Sequence, residues 1–106
     1  MPLLTDEQFK ATMDDHPVQV GPDEAPPFDF WPYFDAIPEA ELGGFDFSEG
    51  TVSYAWTMPT HGVQHVLVRC DVPNVFLVLV LDLAAGAVRG HRVLDLNELY
   101  GLDREA

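Results

Sequence analysis

The sequence predicts an α+β domain: a four-stranded antiparallel β-meander over about residues 51–94, packed against an N-terminal helix and an aromatic-rich irregular segment, and closed by a short C-terminal helical turn. Three observations carry this. Apolar and small polar residues alternate with period two from Thr51 to Met58. Three turn signals at short intervals divide the stretch that follows. Six prolines between Pro17 and Pro38 exclude long regular elements there.

In the first predicted strand, Val52, Tyr54, Trp56 and Met58 form an apolar face, and Thr51, Ser53, Ala55 and Thr57 a small polar one. Pro59 to Gly62 is a turn, and Val63 to Cys70 a second strand. Val72-Pro-Asn-Val75 places Pro and Asn at the central positions of a β-turn. Val75 to Leu83 is apolar at nearly every position, which marks a strand covered on both faces. Ala84-Ala-Gly86 suits a hairpin loop with Gly in the left-handed region, and Ala87 to Leu94 is the fourth strand. Trp56 and Phe76 are expected to be largely buried.

Thr5 to Asp15 reads as a helix, with Thr5 and Gln8 as a capping box and Leu4 and Phe9 as a hydrophobic staple. Pro17 ends it. Residues 17–50 read as irregular, with a possible flexible arm over 17–27 and a short helix from Pro38 through Glu41 to a stop at Gly43. Asp95 can cap a last helical turn, Leu96 to Tyr100, with Gly101 as its stop. One domain, residues 1–106, accounts for the whole chain.

Charge narrows the function classes. Eighteen acids against five bases give −13. Residues 1–50 hold twelve of the acids and only Lys10, whereas residues 51–106 hold six acids and four arginines. Such a field repels nucleic acid and anionic membranes and attracts basic surfaces. Arg69, Arg89 and Arg92 could form a small basic spot, but ion pairing with nearby acids explains them as well. No apolar run approaches a membrane span and no secretory pattern opens the sequence, so a cytoplasmic location is expected. A single cysteine, Cys70, excludes an internal disulfide and reads as a small hydrophobe at a strand end.

Enzyme signatures are weak. Ser48 and Ser53 lie in no nucleophile-elbow pattern, and no Gly-rich phosphate loop occurs. His61 and His65 are separated along a strand, and His65 and His91 by an intervening strand, too far for one metal ion. They read as surface or turn histidines. No catalytic residue, cofactor or metal site is therefore expected.

The strongest candidate is the stretch Phe28 to Phe47, where aromatic rings interleave with acids. Most of its rings should fill the core, with the acids between them wet. Asp29, Trp31, Asp35, Glu39, Glu41 and Asp46 are the expected protein-binding residues, since aromatic anchors in a charged surround suit an interface. The function that follows is an acidic binding protein that neutralises a basic partner, of the bacterial immunity-protein, antitoxin or inhibitor kind. A small enzyme built on His65, His91, Tyr54 and acids is an alternative. So is a structural subunit whose first or fourth strand adds to a partner sheet, giving a monomer or an edge-paired dimer.

Overall fold

A computed structural model describes residues 3–21, 28–47 and 51–101 of the chain. The expected flexible arm and acidic stretch lie in part outside these residues, as does Ser48. Five strands, β1 (Val18–Val20), β2 (Thr51–Met58), β3 (Val63–Arg69), β4 (Val75–Asp82) and β5 (Ala87–Asp95), form one antiparallel sheet in sequence order. The predicted α+β meander is present, with one strand more than expected. That strand, β1, pairs Val18 with Thr57 and Val20 with Ala55. It covers the β2 edge from Ala55 to Thr57, so that edge is not open along its whole length. Ala55 is buried in the core.

The turns form as their residues dictate. Asn74 has φ 65°, the left-handed value that the third position of a type II turn requires, and Gly86 has φ 64°. Asp82 ties the β4–β5 hairpin by accepting from the backbone N–H groups of Ala84 at 3.1 Å and Ala85 at 3.0 Å. Its carboxylate also pairs with Arg89 at 3.0 Å. Asp95 caps α3 (Leu96–Tyr100) by accepting from the N–H groups of Asn97 and Glu98, and Gly101 ends it in the left-handed region.

Register assigns the two faces. One carries Ala55, Val66, Val68, Leu77, Leu79 and Leu81, all buried beneath Phe30, Ile37 and Phe47 of the aromatic segment. The chain folds over this face as α2 (Trp31–Asp35), with Pro32 in its first turn, and then a 3₁₀ turn, Glu39–Glu41. Pro38 is the extended cap of that turn rather than its first helical residue.

The opposite face is covered only in part. The capping box of Thr5 and Gln8 forms, but α1 runs only from Asp6 to Lys10. Leu4 and Phe9 reach Met58, Val63, Val80 and Trp56. A helix this short cannot cover the rest. Trp56 and Phe76 are consequently largely but not fully buried. β4 is buried at six of the seven positions from Val75 to Leu81, all but Phe76, as its continuous apolar run predicts. Among the described residues no helix is long and apolar enough to cross a membrane.

Candidate functional site

The segment Phe28–Phe47 presents its acids outward while its rings go inward. Phe30 and Phe47 are each 2 % exposed, so they anchor the segment to the sheet. Trp31 is half-buried, tilted against Phe30 at 4.5 Å and edge-on to Phe34 at 5.2 Å. It serves the packing of this layer more than an open surface. Asp29, Asp35, Glu39 and Asp46 are exposed.

Three of these acids come together. Asp35, Glu39 and Asp46 line one groove of about 480 Å³ with Phe34, Ile37, Leu42, Phe45 and Phe47. Its floor is apolar and its rim carries carboxylates. The lining residues come from the end of α2, the 3₁₀ turn and the chain leading away from it. Gly43, at φ 64°, lets the backbone reverse there.

The other expected site acids do different work. Asp29 accepts from the backbone N–H of Trp31 at 3.0 Å, which satisfies a donor at the start of α2. Glu41 is half-buried and accepts from His91 Nε2 at 2.8 Å. Trp31, Asp29 and Glu41 thus hold the segment in place and do not line the groove.

His91 is wholly buried, against the expectation of a surface histidine. With Nε2–H donating to Glu41, Nδ1 carries a lone pair and accepts the Tyr33 hydroxyl at 2.7 Å. Burial lowers the imidazole pKa and the Glu41 carboxylate opposes that shift. Burial, with Glu41 second, pushes the Tyr33 phenol up to about 12. The resulting chain, Tyr33–His91–Glu41, latches both α2 and the 3₁₀ turn onto β5. His91 lies 58 and 50 positions from its two partners, and no local pattern joins them.

His65 is likewise buried, on the other face of the sheet. Its ring stacks on Phe9 at 4.9 Å, and its Nε2 lies 2.8 Å from the Thr12 hydroxyl. That hydroxyl donates to the Phe9 carbonyl at 2.8 Å, so it accepts from His65 Nε2–H. Burial, with the charge of His61 second, lowers the His65 pKa to about 4. His65 and His91 thus sit on opposite faces. His61 pairs with Asp14 at 3.3 Å. Among the described residues no three His, Cys, Asp or Glu side chains are grouped to hold a metal ion.

The arginines do not pool into a basic spot. Arg89 pairs with Asp82, and Arg92 pairs with Asp6 while lying over the Phe9 ring at 5.2 Å. Cys70 is half-buried, and burial raises its thiol pKa, the opposite of what activates a nucleophile. Compared with known proteins, the chain matches no family model, no curated protein and no solved structure.

Proposed function

We propose that this chain is an acidic binding protein that takes a basic protein partner on the groove of Asp35, Glu39 and Asp46, and that it acts as an inhibitor or immunity-type protein toward that partner. A nucleic-acid-active toxin has the required surface, because phosphate binding demands clustered Lys and Arg. The observation that carries the reading is the groove's two-part chemistry. Ile37, Leu42, Phe45 and Phe47 give an apolar floor, and three carboxylates stand at its rim. An Arg or Lys side chain is built the same way, with an apolar stem and a cationic head. The net charge of −13 adds long-range steering toward such a surface.

The enzyme alternative has one supporting observation, the hydroxyl–imidazole–carboxylate order of Tyr33, His91 and Glu41. All three groups spend their hydrogen bonds joining elements of the fold, and none of them lines the acidic groove. The latch role accounts for them without a substrate.

The test uses a partner recovered by affinity capture on the intact chain. Association should slow from low to physiological salt while dissociation changes little. The variant Asp35→Asn with Glu39→Gln and Asp46→Asn should reproduce that loss at low salt and keep the wild-type melting temperature. Glu7→Gln, in α1 on the opposite face of the sheet, is the control. An acidic partner, or binding indifferent to the triple substitution, would overturn the reading.

A further inference from the structure

Residues 3–17 cross the sheet face opposite the acidic groove as a strap. At one end Leu3 bridges to His91 on β5, and the Leu4 N–H donates to the His91 carbonyl at 2.8 Å. In the middle, Leu4 and Phe9 pack on Met58, Val63, Val80 and Trp56. At the other end Asp14 accepts from the Thr60 N–H at 2.8 Å and pairs with His61 at 3.3 Å. β1 then fixes the chain after Pro17 to the opposite edge of the sheet.

This strap is lightly attached. α1 has five residues, and none of them is buried. The main core beneath Phe30, Ile37 and Phe47 lies on the other face and takes no residue from the strap. The ladders that join β2 to β5 do not involve it either. Elements with few buried contacts open at lower free energy than the core does, so the strap can leave while the sheet stays folded.

What the strap seals is His65, which is 2 % exposed. Its ring stacks on Phe9 and its Nε2–H donates to the Thr12 hydroxyl, both strap residues. Its cross-strand neighbours, Trp56 on β2 and Val80 on β4, are apolar. Among the described residues no carboxylate pairs with it. The nearby charges do not favour a second cation. From β5, Arg92 lies over the Phe9 ring at 5.2 Å and is held by Asp6. From the β2–β3 turn, His61 opposes a charge on His65, and it already engages Asp14. Glu7 and Lys10 of α1 are exposed. A proton on His65 is therefore costly under the strap and is hydrated once the strap has left.

We propose that the strap is an acid-released cover: protonation of His65 frees residues 3–17 from the sheet while β2–β5 and the core beneath the aromatic segment stay folded. Closed, the site holds the imidazole pKa near 4; open, it returns to its ordinary ~6.5. Closure is thus fully favoured above the higher value and is lost progressively as pH falls toward the lower one. From pH 7 to pH 5 the open fraction should rise roughly twentyfold.

Amide hydrogen exchange of the intact chain at pH 7 and pH 5, followed by NMR and corrected for intrinsic rates, tests this. The Leu4, Phe9 and Ala11 N–H groups, bonded to the carbonyls of His91, Thr5 and Glu7, report on the strap, and Leu79 on the sheet. The strap amides should be at least tenfold less protected than Leu79 at both pH values. Their protection should fall roughly twentyfold from pH 7 to pH 5. His65→Gln keeps a donor for Thr12 and does not titrate, so its strap amides should change no more than a few-fold. The part of the pH dependence that belongs to Asp6, Asp14 and His61 persists in that variant. Phe9→Ala should loosen the strap at pH 7 already and leave the Leu79 amide protected. Strap amides that exchange only together with Leu79, strap protection unchanged between the two pH values, or a fall as large in His65→Gln as in wild type would each overturn the inference.

Discussion

Replacing His65 by Gln should remove a defined part of the protein's acid sensitivity. In the folded chain the imidazole is buried between Phe9 and the strands, with its pKa lowered to about 4. In the unfolded chain it titrates near its ordinary value of ~6.5. The folded state therefore binds fewer protons between these values. Stability is fully present above the unfolded pKa and is lost as pH falls, until the folded pKa is passed. From pH 7 to pH 5 this one group should cost about 2 kcal/mol, since by pH 5 the unfolded imidazole is almost fully protonated and the folded one almost neutral. Gln keeps a donor for the Thr12 hydroxyl and does not titrate. Urea unfolding at the two pH values, with unchanged m-values, reads the difference directly. The pH-dependent loss in His65→Gln should be smaller than in wild type by about 2 kcal/mol. Equal losses in the two proteins would mean that His65 is accessible and protonated in the folded state, refuting its burial beneath the N-terminal segment. His91, lowered in the same direction, contributes to both proteins and cancels in the comparison.

Tyr33→Phe leaves His91 Nδ1 buried without its donor and should cost about 1–3 kcal/mol by urea unfolding; a loss within error would show that the latch does not hold α2. Leu79→Ala, at a fully buried position, should cost ~2–5 kcal/mol, whereas Phe76→Ala should cost less than Leu79→Ala, because its ring is only partly covered. Equal costs would place Phe76 in the core.

The strands and turns were readable because their determinants are local. Alternation from Thr51 to Met58, the Pro73-Asn74 pair and Gly86 each specify backbone geometry within a few residues. β1 was not readable. Three residues after Pro17 give too short a pattern, and their pairing depends on β2, more than thirty residues later. The degree to which Trp56 and Phe76 are covered was not readable for a related reason. An apolar face on a strand says that cover is favourable, but the length of α1 decides how much arrives. The histidines show the limit most clearly. Sequence spacing argued rightly that His65 and His91 stand on separate strands, yet the residues that bury and satisfy them, Thr12, Tyr33 and Glu41, are 50 or more positions away. For the candidate site, alternation of acids and rings located the segment. Only the fold separated Asp35, Glu39 and Asp46, which share a groove, from Asp29 and Glu41, which hold backbone and histidine in place.

The central claim, that the groove of Asp35, Glu39 and Asp46 accepts a basic side chain, is tested most directly by amide NMR titration of the intact chain with a short peptide containing one arginine among neutral residues. The account predicts shift changes concentrated at Asp35, Ile37, Glu39, Leu42 and Phe45–Phe47, reduced at high salt and abolished in the triple Asn/Gln variant. Shifts spread evenly over all exposed acids, with Glu7 and Glu98 responding as strongly as Asp35 and Glu39, would contradict it.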